Sequence, residues 1–210
     1  MIDPNKPKIG GFQLTDFVQA GSRHAAKTVA DQKSLYLNQD GPAWFYYGPL
    51  YVGLRAAVNA TDPQATLDRV VKQAEAVDLS KGLAYAEATR GFMKLRPSKA
   101  TGVPVKPASW SEGDLTVDMR NMLGLRQPKG ELLYVAAYAK KPTLTPDAAD
   151  TLLYLMETVV DQALPGAIPV VWDLQRGKQF KLASNTNRAG LEGYVRGQAA
   201  AYLVAWKHAA

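Results

Sequence analysis

The clearest alternation of apolar and polar positions lies between residues 115 and 140. Leu115, Val117 and Met119 fall on one side of an extended backbone, and Thr116, Asp118 and Arg120 fall on the other. In 132–140, Leu133, Val135 and Ala137 alternate with Tyr134, Tyr138 and Lys140. A short segment from Gly124 to Gly130 joins the two runs and predicts an antiparallel hairpin. The period then becomes helical. Thr145-Pro146-Asp147 marks a start, and Ala149, Leu152, Leu153, Met156, Val159, Val160 and Ala163 form a stripe that stops before Pro165-Gly166. The stretch 167–174 is apolar on both faces, as a strand covered on both sides would be. A closing helix over 191–208 uses Tyr194, Val195, Ala199, Tyr202, Leu203 and Trp206.

The first half reads as helical. Residues 1–11 form an arm, and 14–34 a helix that Gly21-Ser22 divides into two short pieces. Asp62-Pro63 opens a helix with Leu67, Val70, Val71 and Ala74 on one face. Asp78 opens another, with Leu83, Ala84, Ala86, Phe92, Met93 and Leu95 as its stripe and Pro97 as its end. Residues 98–112, with Pro104 and Pro107, form a linker. The aromatic segment 42–55 (Trp44, Phe45, Tyr46, Tyr47, Tyr51) is first of all packing surface, because aromatic rings bury so much area; an oligomer contact or base stacking are the alternatives. Together these elements predict one α/β (α+β) domain: arm 1–11, helical portion 12–97, and a strand-strand-helix-strand-helix portion 98–210 with a small mixed sheet flanked by helices.

Composition adds bounds. Hydrophobic residues at 47% and charged residues at 21% are ordinary globular values. No apolar run is long enough to span a bilayer, and the N-terminus lacks a basic start followed by an apolar stretch, so a cytoplasmic protein without a membrane partner is expected. The absence of cysteine excludes disulfides, thiolate zinc sites and a cysteine nucleophile. The net charge of +6 is carried by the section from Ser80 to Lys141, since the remaining basic and acidic residues balance. Such a section suits nucleic acid or another acidic partner, with a solvated surface as the alternative. Arg120, Arg126, Lys129, Lys141, Arg176 and Lys178 are the candidate contacts.

Common catalytic motifs are missing. His24 and His208 stand far apart, and there is no nucleophile elbow and no phosphate loop. The order helix, strand pair, crossover helix, strand resembles the core of the restriction-endonuclease-like fold. The chain also resembles a set of uncharacterised bacterial proteins of similar length, over roughly residues 45–208. The likeness lies in Tyr85, Glu87, Gly91 and Phe92 at a helix end, and in Val171, Asp173, Gly177 and Lys178 around a strand. The nuclease resemblance implies Asp118 and Glu87 as holders of Mg²⁺, with Lys140 favouring the attacking water. Tyr138 stands where that pattern places its second acid. The favoured reading is therefore a non-catalytic nucleic-acid-associated protein on a degenerate nuclease-like scaffold, with no cofactor. A Mg²⁺-dependent nuclease using Glu87, Asp118 and Lys140 is one alternative. A structural or protein-interaction component of a larger assembly is the other.

Overall fold

Gly21 breaks the first long helix of this computed structural model, which describes residues 5–37 and 46–209. Within α1 (Gly11–Leu37) its backbone is non-helical, at φ 64° and ψ 173°, so two helical pieces meet there as expected. Next comes α2 (Gly48–Val58), with Pro49 in its first turn. Capping fixes the later starts. The Asp62 carboxylate accepts from the Ala65 amide at 2.9 Å and opens α3 (Pro63–Val77), and Asp78 does the same for Lys81 at 2.9 Å to open α4 (Leu79–Leu95). Thr145 caps α5 (Pro146–Ala163) through the Ala148 amide at 3.3 Å, and Asn187 caps α6 (Arg188–His208) through Gly190 at 3.0 Å.

The strands form two sheets. In the smaller one, β4 (Leu115–Asp118) lies between β1 (Lys8–Gly10), parallel to it, and β3 (Ser109–Glu112), antiparallel. The larger one runs β2 (Thr101–Val103), β5 (Leu123–Arg126), β6 (Leu132–Tyr138), β7 (Ile168–Asp173), β8 (Lys178–Phe180). There β6 and β7 are parallel, joined across α5, and the other neighbours are antiparallel.

This overturns the expected hairpin. The runs 115–120 and 132–140 belong to different sheets. Instead β4 folds back on β3 around Gly113 (φ 55°), pairing Val117 with Trp110. The partner of β6 is β5, with Leu123 opposite Val135 and a turn from Gln127 to Glu131 in which Gly130 takes φ 91°. Between them, residues 119–122 carry the chain from one sheet to the other, and Asn121 adopts a left-handed φ of 61° that ends β4's extended run. The segment read as a linker supplies both β2 and β3. Strands of three and four residues separated by prolines are too short for alternation to be read.

The core is continuous across both sheets. From Leu133 to Ala139 every residue of β6 and its extension is buried, because the sheet is covered on both faces. The stripe of α4 is corrected in part. Phe92 faces inward as expected, meeting Trp172 edge-on at 6.0 Å, and Met93 and Leu95 pack against the core, but Tyr85 and Ala88 take the inner positions and Leu83 is 62% exposed. Of the aromatic segment, Tyr51 is buried and stacks on Phe12, and Tyr47 stacks on Tyr85. Tyr46 and Val52 stay exposed, and Pro42, Ala43, Trp44 and Phe45 lie outside the described residues. Among the described residues no helix is long and apolar enough to cross a membrane.

Candidate nucleic-acid interface

Crevices beyond the carboxyl ends of parallel strands are the usual ligand sites of open α/β sheets. Here that crevice is framed by two clamps. Asp173, 1% exposed at the end of β7, accepts from the amides of Leu144 (3.4 Å) and Arg176 (3.3 Å) and faces the Arg176 guanidinium at 3.6 Å. Arg176 in turn donates to three successive carbonyls, of Lys140, Lys141 and Pro142, which fixes the chain leaving β6. The Gln175 amide bridges the carbonyls of Ala139 (2.9 Å) and Ala84 (3.1 Å), tying β6 to α4. At Gly91 the helix approaches so closely that an added Cβ would sit 1.7 Å from the Leu174 carbonyl oxygen.

These contacts shape a groove of about 410 Å³ along α4. Glu87, Arg90 and Lys94 occupy successive turns of the exposed face of α4, and Lys141 and Arg176 stand opposite. With Arg176 balanced by Asp173 behind it, Arg90, Lys94 and Lys141 against Glu87 still leave the groove a positive field suited to phosphates. In the sequence, the helical spacing of Glu87, Arg90 and Lys94 is the signal for this face; the two cations belong to the basic section 80–141 but do not stand out there as contacts.

The residues expected to hold Mg²⁺ are not brought together. Lys140 pairs with Asp16 of α1. Asp118 lies in the smaller sheet, where Arg120 grips it at 2.6 Å and Lys8 stands at 3.5 Å. Glu87 lines the groove just described. A carboxylate already flanked by two cations is a poor seat for a third positive charge. Among the described residues no three metal-ligating side chains gather. The Tyr138 hydroxyl, buried beside Gln19, is pushed up to about 12 by burial and by the nearby Asp16 charge.

Neither models of known protein families nor curated protein sequences match this chain.

The basic candidates divide between the two ends of the larger sheet and the smaller sheet. Lys141 and Arg176 share the groove, whereas Arg126 and Lys129 are exposed at the far end of β6, roughly 25 Å of extended chain away. Lys178 lies over the Phe180 ring at 4.5 Å, and Arg120 is held by Asp118. Arg176 is occupied chiefly in holding the loop, so Arg90, Lys94 and Lys141 are the groove cations that are exposed and have no acidic partner among the described residues.

Asp16 yields a pH prediction. Burial raises its carboxyl above the ordinary value, and the attraction of Lys140 offsets that only in part. A carboxyl raised in the folded state contributes stability below its unfolded value, near 3.8, and loses it as pH rises through the folded value. Asp16→Asn therefore compares best with the wild type at neutral pH, and the wild type gains on the variant as pH falls toward 3.8. Paired thermal melts at pH 7 and pH 4 check this. A wild-type advantage that grows toward neutrality would refute it.

Proposed function

We propose that this protein binds nucleic acid through the groove at the carboxyl ends of β6 and β7, and does not cleave it. The observation that carries the reading is the exposed set Arg90, Lys94 and Lys141 around one carboxylate, Glu87. A degenerate nuclease-like scaffold is supported by the order α4, antiparallel β2-β5-β6, crossover α5, and β7 parallel to β6. Absence of cleavage is supported by the buried Tyr138 where a second acid is expected, and by Lys140 being neutralised by Asp16.

Fluorescence anisotropy with labelled single- and double-stranded oligonucleotides tests the proposal. Phosphate contacts predict a log–log salt slope of about −0.9 per contacted phosphate on duplex DNA. Reversing Lys94 and Lys141 to Glu makes that slope shallower by about two and weakens unrelated sequences alike. Reversing Arg126 and Lys129, at the other end of the sheet, changes affinity by less than about threefold when the contact is confined to the groove. No binding at low salt overturns the proposal, and rapid Mg²⁺-dependent cleavage overturns its non-catalytic half. A protein-contact role has one observation in its favour: Val77, Leu79 and Leu83 are exposed around the α3–α4 corner.

A further inference from the structure

A second, larger opening lies where the chain crosses between the two sheets. It measures about 1010 Å³ and shares no lining residue with the groove. That places it at the upper end of the roughly 300–1,000 Å³ usual for small-molecule sites. Four cations reach it from four separate segments: Lys8 from β1, Arg55 from α2, Lys106 from the crossing after β2, and Arg120 from the crossing after β4. A single carboxylate, Asp118, lines it. Its Oδ1 faces the Lys8 ammonium at 3.5 Å, and its Oδ2 accepts from Arg120 Nε (2.9 Å) and Nη2 (2.6 Å). Arg55 and Lys106 are exposed and have no carboxylate partner among the described residues. The remaining wall is mixed: Val103 and Val105 are half-buried, Met119 and Met122 buried, and Asn59 and Asn121 exposed.

We propose that this cleft binds a phosphorylated small molecule of nucleotide size, its phosphates on Arg55 and Lys106 and its organic part on Val103 and Val105. Convergence of cations from four segments on one concavity, beside two half-buried valines, suits a compact anion with a hydrophobic portion better than a long polyanion. Asp118 is then a resident counter-ion. It holds Lys8 and Arg120 in place, and its own charge opposes the incoming phosphate. A sign follows that separates this site from a cation site. Neutralising Asp118 tightens binding of a phosphate and loosens binding of a metal or an ammonium group.

Isothermal titration of the full chain with ATP, without Mg²⁺ and at low salt, tests this independently of the groove. Arg55→Ala and Lys106→Ala each weaken ATP about tenfold, as loss of a charge-assisted hydrogen bond does. Both side chains are exposed, so folding is preserved and unchanged melting confirms it. Asp118→Asn tightens ATP at least about threefold, and tripolyphosphate binds about tenfold more weakly than ATP. Reversal of Lys94 and Lys141 leaves ATP affinity unchanged. No ATP binding up to millimolar concentration, indifference to Arg55→Ala and Lys106→Ala, or weakening by Asp118→Asn in a protein that still folds would each overturn the proposal. Equal affinity for tripolyphosphate would overturn the assignment of an organic moiety to Val103 and Val105.

Discussion

Gly91→Ala is expected to lower stability by about 3 kcal/mol, the upper end of overpacking effects, and to lower the melting temperature by roughly 6–12 °C. A methyl group there would meet the Leu174 carbonyl oxygen at 1.7 Å and its carbon at 2.7 Å. The obstruction is backbone, so no rotamer change relieves it. Relief requires α4 to move away from the end of β7, which strains the Gln175 bridge to Ala84 and the Phe92–Trp172 contact together. The control is Gly193→Ala, on the exposed face of α6 with no neighbour within 4 Å. That change should stabilise by about 0.5–1 kcal/mol, the ordinary helical gain of alanine over glycine. Thermal melts of both variants check the pair. Equal effects would refute the close approach at Gly91.

The second large effect is expected at Asp173. Asp173→Ala removes the acceptor for two amides, Leu144 and Arg176, and the buried counter-charge of the Arg176 guanidinium. Loss of one partner of a buried ion pair is costly because the other charge stays behind; with Arg176 about a third exposed, about 2–4 kcal/mol is expected. The loss is also local. Arg176 spans the carbonyls from Lys140 to Pro142, so release of its anchor loosens the wall of the groove. Hydrogen exchange should accelerate at the Leu144 and Arg176 amides first, and oligonucleotide affinity should fall with it if the groove is the contact. Asp173→Asn keeps an acceptor and should lose less. A variant with unchanged melting and unchanged exchange at Leu144 would contradict this role.

Local rules identified the helices. Asp62, Asp78 and Thr145 are capping residues, and each satisfies an amide at the start of its own helix, a contact that spans three residues and needs no tertiary partner. Asn187 does the same for α6, which starts at Arg188 and not at 191, where the apolar stripe alone begins it. The kink at Gly21 was legible for the same reason: glycine alone enters that backbone conformation freely. Alternation also located the strand segments 115–118 and 132–138.

Pairing was a different matter. Alternation says which side of a strand is apolar, and it is silent on which strand lies beside it. Leu115–Asp118 and Leu132–Tyr138 fit one hairpin by pattern, yet the turn at Asn121 and the close approach at Gly124, where a Cβ would come 2.5 Å from the Val103 carbonyl oxygen, send them to separate sheets. The candidate site followed the pairing. Asp118, Lys140 and Glu87 have plausible chemistry and order in the chain, but charges act through space. Tertiary structure gave Lys140 to Asp16, 124 residues away, and surrounded Asp118 with Lys8 and Arg120. Composition set the excess of positive charge, and only the packing of α4 against β7, and of one sheet beside the other, decided where those charges converge.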